Sequence, residues 1–428
     1  MKNSLRLVLI LVICVSIFVY SLYQNQGYIN IKNNNIEIYN ANRLMKEYCN
    51  ENNLVFNNIN GKKAYIFSSP VVYYENNKLT IYQNNIKQNH NSIIYKNGKY
   101  EAVFYKYKTR FQIIKDFRIN ITTNNKKITS KIKQVKNELT DNYQNAILYE
   151  TKNKKVKYNI SPNIDGVSID YNCSGEINKN LKFYMNISDS QFISYVVSEA
   201  GYINIVDRSK SLIGILQKPI IKYKNKLYFN DASFNLKCSK NNLEFNVNAK
   251  RFLNKQYQVI FAFSFYENKQ PDSQVTSACV NMNQYLNDFV YIGKNKMNEN
   301  KYYFKFDLSD IFEQNIKIKS AYYYFYNFSN KSMTLDVYQL KKEWKSSKIC
   351  WNSKIQELNF LVSRNTVKKR SICKIDITTA VQLWNKDKTN QFMKNGLVLK
   401  SQNNYICAFS SADSIYFNNY IEINFYNA

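Results

Sequence analysis

Hydrolysis of a glycosidic bond canonically uses two carboxyl groups, one donating a proton and the other acting as base or nucleophile. The candidates here are Asp165 with Asp170, Asp307 with Asp310, and Asp376. Asp165 and Asp310 fall in turn-like words, where an Asp side chain accepts backbone N–H bonds. Asp307 sits on a predicted strand, and no spacing marks any of these groups as an acid with its partner. The single histidine, His90, lies in the Asn-rich stretch QNNIKQNHNS and reads as solvated surface. That leaves no basis for a His-built metal site or a Ser-His-Asp triad. Of the eight cysteines, at 14, 49, 173, 238, 279, 350, 373 and 407, none makes a C-x-x-C or Cys/His metal spacing. Nucleophile elbow, phosphate-cradling loop and HExxH patterns are also missing. Calcium in a carbonyl or carboxylate cage is compatible with an all-β domain, but the acids are too scattered for D-x-D clustering. The expectation is a non-catalytic protein without a cofactor.

Aromatic residues offer different chemistry. In the run Ala321–Tyr326, Tyr322, Tyr324 and Tyr326 point to one side of a strand, with Tyr323 and Phe325 on the other. Outward tyrosines can stack on the apolar C–H face of a sugar ring, while Lys and Asn nearby engage hydroxyls or carboxylates. The alternative is that half of them pack in a core and the rest merely face water. All three tryptophans, Trp344, Trp351 and Trp384, lie in the last fifth of the 428 residues. Trp344 and Trp351 flank the turn KSSKIC, with at least one expected in the core, and Trp384 belongs to a short helix or loop that closes the module. Tyr322, Tyr324, Tyr326, Trp344 and Trp351 are the candidate carbohydrate-binding residues.

These residues need strands to position them. Apolar residues make up 45% of the chain, enough for packed cores. Tyr numbers 37 and Phe 26, against 9 Gly and 4 Pro. From Lys62 onward, short alternating segments recur at the spacing of all-β folds, separated by Asn-rich turns. Residues 61–145 and 146–271 read as β-rich domains and 24–60 as a linker. Met1–Tyr23 opens with Lys2 and Arg6 before sixteen uncharged residues, Leu7–Leu22, between a signal-peptide core and a full span in length. Signal peptide and uncleaved membrane anchor both fit, and both predict export. The net charge of +29 attracts anionic cell-wall polymers, acidic polysaccharides or a membrane surface. The basic residues are spread evenly with no nucleic-acid-binding motif, so nucleic acid is not an expected partner.

The C-terminal words also carry a family resemblance. In order they are KFDLS, IKSAYYYFY, Val337–Leu340 with Glu343-Trp344, and Cys350-Trp351-Asn352. Ile375–Thr378 with Val381 and Trp384, Asn395–Leu399, Phe409–Ser411 and a closing strand Tyr420–Tyr426 complete the set. Residues 272–428 thereby resemble the DNRLRE (disaggregatase-related) domain. Of that family's Gly-rich loop only Tyr291-Ile292-Gly293-Lys294 remains. Residues 72–181 more loosely resemble the segment that precedes such domains in Rhs-like and wall-associated proteins. The resemblance implies a jelly-roll-like β-sandwich akin to carbohydrate-binding modules, on a secreted or cell-surface protein of Gram-positive bacteria. It also implies a carbohydrate partner, with an anionic polysaccharide or wall polymer favoured by the charge. A structural or adhesive spacer is the alternative function, and a polysaccharide-degrading enzyme ranks last.

Overall fold

The computed structural model describes residues 28–75 with short interruptions, the strand segments between 78 and 248, most of 194–264, and residues 271–312, 316–387 and 391–427. The leader, including Leu7–Leu22, and His90 and Asp165 lie outside the described residues. The protein is dominated by antiparallel strands, as the alternation predicts. Among the described residues no helix is long and apolar enough to cross a membrane.

Twelve strands form the sheet that carries the C-terminal module. In chain order they are β1 (Asn53–Asn58), β2 (Gly61–Phe67), β3 (Asp272–Thr276), β4 (Phe289–Lys294), β5 (Glu299–Phe304), β6 (Ile316–Asn327), β7 (Met333–Leu340), β8 (Glu357–Val367), β9 (Ser371–Asp376), β10 (Leu397–Lys400), β11 (Ile406–Ser410) and β12 (Tyr420–Asn427). The helix α1 (Thr378–Lys386) lies between β9 and β10. The strand order is β1-β2-β12-β6-β11-β4-β5-β10-β7-β8, with β3 on β5 and β9 on β6. One core draws residues from both ends of this order: Val55, Ala64 and Ile423 from one, Phe304, Leu335, Val337 and Leu399 from the other. A single sheet can do this only by folding over on itself, which produces a sandwich-like β unit.

Strand alternation builds that core. Tyr323 and Phe325 of β6 are fully buried and stack at 5.1 Å, and Phe304 stacks on Tyr323 at 4.4 Å. Tyrosine hydroxyls this deep need partners. Tyr302 donates to Asp272 Oδ2 (2.8 Å) and lies 3.3 Å from the Tyr323 hydroxyl, which accepts from Asn419 Nδ2 (2.8 Å). Trp384 of α1 is buried with its Nε1–H on Gln339 Oε1 at 2.8 Å, closing the module as the sequence implied. Gly293 is needed for its backbone: at φ +116° a Cβ would collide with the Tyr405 carbonyl, just before the paired strand β11.

Two expected boundaries differ from the sheet pairing. The stretch 24–60 contains a hairpin, Tyr28–Lys32 with Asn35–Tyr39, and then β1. Its neighbour β2 pairs along β12 from Phe67↔Tyr420 to Lys62↔Phe425. Residues 53–67 are therefore part of the C-terminal sheet, because the last strand of the chain offers a free edge that only a distant segment fills. Upstream, one eight-stranded sheet takes strands from 85–122 and 181–248. A ten-stranded sheet takes strands from 128–228 and adds Tyr257–Ser264 between Gly166–Cys173 and Leu212–Leu216. Both sheets cross residue 146, so the upstream strands are interleaved rather than arranged as two successive units.

Candidate functional site: a lysine and aromatic face

Strand β5 alternates cleanly. Asn300, Tyr302 and Phe304 point inward and are buried, which places Glu299, Lys301 and Tyr303 on the outer face, with Lys305 just beyond the strand. On β10, Leu397 and Leu399 enter the core while Val398 and Lys400 face outward. On β7, Leu335 and Val337 are core, and Asp336 and Tyr338 are outward. The pairs Tyr302↔Leu399, Asp336↔Lys400 and Asp336↔Arg364 put Lys301, Lys400, Asp336 and Arg364 in one row across four strands.

Each acid in this row is neutralised. Arg364 grips Asp336 with a two-pronged contact, Nε to Oδ1 at 2.6 Å and its terminal nitrogen to Oδ2 at 3.1 Å. Glu357 accepts from Lys301 (3.0 Å) and Lys400 (3.4 Å). Burial pulls its carboxyl upward, but the hydrogen bond and charge of Lys301, with Lys400 behind it, prevail and hold it below the usual range.

Aromatic rings lie among these cations. Lys400 Nζ is 4.0 Å from the centre of the Tyr338 ring. Trp351 has Lys354 Nζ at 4.3 Å and Lys301 Nζ at 5.9 Å. Both rings are half-buried. They are held by the segment 341–356, which folds over a small apolar cluster of Val275, Tyr303, Leu340, Trp344, Ile349 and Val398. Trp344 anchors it: the ring meets Tyr303 edge-on at 5.9 Å and donates to the Asn395 carbonyl at 2.8 Å. Asn283 Nδ2 donates to the Ile349 carbonyl at 2.7 Å, and Lys341 N to the Gln356 carbonyl at 3.1 Å. The exposed Lys341, Lys342, Lys345, Lys348 and Lys354 make this segment basic. Lys305 reaches under it to the Trp344 carbonyl (3.0 Å); burial lowers its pKa, against the opposing charge of Glu343 3.9 Å away.

The sequence candidates separate into two places. Trp351 is at the open side of this face, and Trp344 is the buried peg beneath it. Tyr322, Tyr324 and Tyr326 share one side of β6, as the alternation predicts, but they do not form an open platform. Tyr326 is buried against Phe328 and Phe417, and Tyr324 stacks on Tyr420 at 4.6 Å. The cover belongs to a second core containing Phe56, Phe67, Leu139, Ile220 and Ile260. Tyr322 is half-buried, with Lys374 Nζ 3.8 Å from its ring centre. Tyr338, Lys301 and Lys400 were not singled out from the sequence. The alternation Lys301-Tyr303-Lys305 was the available signal.

The candidate carboxylates have structural partners, and Asp307 lies beyond the end of β5 rather than on a strand, because pairing with β3 and β10 stops at Phe304. Asp307 accepts from Ser309 N (3.0 Å) and Oγ (2.6 Å), Asp310 from Asn50 Nδ2 (3.1 Å), and Asp376 from Thr378 N (2.8 Å) at the start of α1. Asp170 is buried within the upstream ten-stranded sheet. Asp272, pushed up to about 6 by burial, accepts from Ala412 N (2.7 Å) as well as from Tyr302 and is hydrogen-bonded to Asp413. Among the described residues no group of three or more His, Cys, Asp or Glu could hold a metal ion, and Cys49, Cys279, Cys350, Cys373 and Cys407 carry no disulfide.

No curated protein matches the chain. Among solved structures, the N-terminal domain of a Streptococcus gordonii adhesin aligns at 8% identity over 81% of this chain and 98% of that one, with a TM-score of 0.17. An exo-beta-1,3-galactanase from Phanerochaete chrysosporium, holding beta-1,3-galactotriose, aligns at 7% identity over 85% and 100%, with a TM-score of 0.12. Likenesses that slight carry no argument. Residues 264–424, which include every strand of the lysine and aromatic face, match the family model of carbohydrate-binding module family 96 and form a carbohydrate-binding-module-like domain.

Proposed function

We propose that this protein is a non-catalytic, exported glycan-binding protein whose lysine and aromatic face takes an anionic polysaccharide or cell-wall polymer. The observation that carries this reading is Trp351, half open to solvent between Lys354 and Lys301. A sugar ring can stack on its face while carboxylates or phosphates on the polymer meet the surrounding ammonium groups. The family match of residues 264–424 supports carbohydrate as the partner. The acidic groups Asp336, Glu357 and Glu299 pair with Arg364 and Lys301, and Glu343 lies 3.9 Å from Lys305, so the five exposed lysines of segment 341–356 outnumber its one acid and set its potential. The basic end and apolar run of Met1–Tyr23 support export, as signal peptide or anchor, and hence a secreted or cell-surface location.

The test is retention of the full chain on immobilised acidic and neutral polysaccharides at low and at about 0.15 M salt, where exposed charges are screened beyond about 8 Å. Retention on one acidic polymer that survives salt and weakens in Trp351→Ala is the expected result. Retention lost entirely at 0.15 M salt would mean charge alone, and no retention would favour a spacer without a ligand.

A further inference from the structure

A second site is carried by an unrelated observation. Where the strand end Leu216–Ile220 of the upstream unit meets β3, β4 and the start of β5, the two units border a half-open cavity of about 330 Å³. Small-molecule sites run from about 300 to 1,000 Å³, so this one has room for one or two sugar rings. It is built, not incidental. Gln217 ties the units together, donating to the Leu286 carbonyl (3.0 Å) and accepting from Asp288 N (3.3 Å). Gln274 spans β4 and β5, accepting from Tyr291 N (2.7 Å) and donating to Asn300 Oδ1 (3.2 Å).

Against this finished frame, other lining groups are unspent. Asp288 is 1% exposed, and its Oδ2 has no hydrogen-bond partner among the described residues, although Oδ1 accepts from Ile415 N at 3.2 Å. Leaving such an atom buried and unpaired costs on the order of 1–3 kcal/mol, which a polar group seated in the cavity would recover. The side-chain amides of Asn287 and Asn298, both lining the cavity, also make no hydrogen bond to the protein among the described residues. An amide donates and accepts at once, which matches a sugar hydroxyl; Lys218 lines the cavity as well, but burial lowers its pKa and it already interacts with the protein. Phe289 and Tyr291 supply an apolar wall for the C–H face.

We infer that this inter-unit cavity is a second carbohydrate site, taking the terminal pyranose of a neutral glycan through Asn287, Asn298 and Asp288. It is separate from the lysine and aromatic face in ligand class, and neither site depends on the other. Burial holds the Asp288 carboxyl up to about 8, so at neutral pH its acid form can donate into the cavity. Residues 217–220 form part of the wall, so the module without its upstream unit has only part of the site.

The experiment is saturation-transfer NMR and titration calorimetry on the full chain with the methyl pyranosides of glucose, galactose and mannose. At least one should bind. The Asn287→Ala/Asn298→Ala double variant should weaken it tenfold or more with an unchanged melting temperature, since neither amide supports the fold. Asp288→Asn, which still presents a donor, should retain binding, whereas Trp351→Ala should leave pyranoside binding untouched. Binding of none of the three glycosides, or binding that ignores the double variant, overturns the proposal and leaves a water-filled seam. If retention on acidic polysaccharide fails while pyranoside binding holds, only the lysine and aromatic face is lost as a reading.

Discussion

Two outward strips of the same module contrast sharply. On β6, Tyr322, Tyr324 and Tyr326 alternate with the buried Tyr323 and Phe325. On β5, Glu299, Lys301 and Tyr303 alternate with the buried Asn300, Tyr302 and Phe304. The periodicity is identical and so is the burial, with two half-buried residues and one buried residue in each strip, Tyr326 on β6 and Tyr303 on β5; what differs is the cover over the buried ring. The cause lies outside both strands. The end of β6 is covered by β1, β2 and the upstream residues Leu139, Ile220 and Ile260, all brought from distant parts of the sequence. The outer face of β5, β10 and β7 receives only its own segment 341–356, anchored by Trp344, and this leaves Tyr338 and Trp351 half-exposed. Alternation assigns a side chain to a face of the sheet, and docking decides what that face meets.

The largest effect that would sharpen this contrast is on stability. Tyr326→Ala empties a fully packed position in the seam and should cost about 3 kcal/mol, in the range of large-to-small core substitutions. Urea unfolding measures it, and a midpoint like wild type would mean the seam is not a real core.

Next comes a pH dependence at the other seam, in Asp288. Its folded carboxyl titrates near 8, against about 3.9 in the unfolded chain. Between those values the folded state binds the extra proton, so stability falls as pH rises from about 4 to 8. Asp288→Asn should flatten that slope in melting curves taken from pH 5 to 8.5, and a slope identical to wild type would assign it elsewhere.

Trp351→Ala should weaken retention on acidic polysaccharide about tenfold, equivalent to 1.4 kcal/mol, while unfolding free energy drops by about 1 kcal/mol or less. A stability loss as large as that of Tyr326→Ala would mean that this ring, too, belongs to a core. Lys354→Gln should cost only two- to threefold at low salt and make retention less salt-sensitive, by removing one screened charge; an unchanged salt slope would separate that ammonium from the ligand. The smallest effect is expected for Tyr322→Ala. Its ring is half-buried at the far end of the strip, and unfolding should shift by about 0.5 kcal/mol or less.

Much of the fold was legible in the chain. The strand segments, the all-β class and the buried side of β6 follow from a period of two, which is local. So does the closing helix around Trp384, because α1 presents an apolar stripe; Asp310 does not, since it lies in the helical turn Ser309–Phe312 and takes its donor from the distant Asn50 side chain. The site was legible only in part. Trp351 announced itself by residue type, but Tyr338, Lys301 and Lys400 become neighbours of one another only through the pairing of β5, β10 and β7.

Sequence by itself determined which residues alternate, that the chain is strongly basic throughout, and that the tryptophans gather in one module. Tertiary structure alone decided that β2 completes the C-terminal sheet, that Tyr326 is sealed while Trp351 is not, and that Asp288 is buried in a seam with an unpaired oxygen. The physical reason is range. Periodicity and turn chemistry act over a few residues, whereas burial, charge pairing and cavity formation depend on which distant surfaces meet, and hydrophobic burial is non-directional until they do.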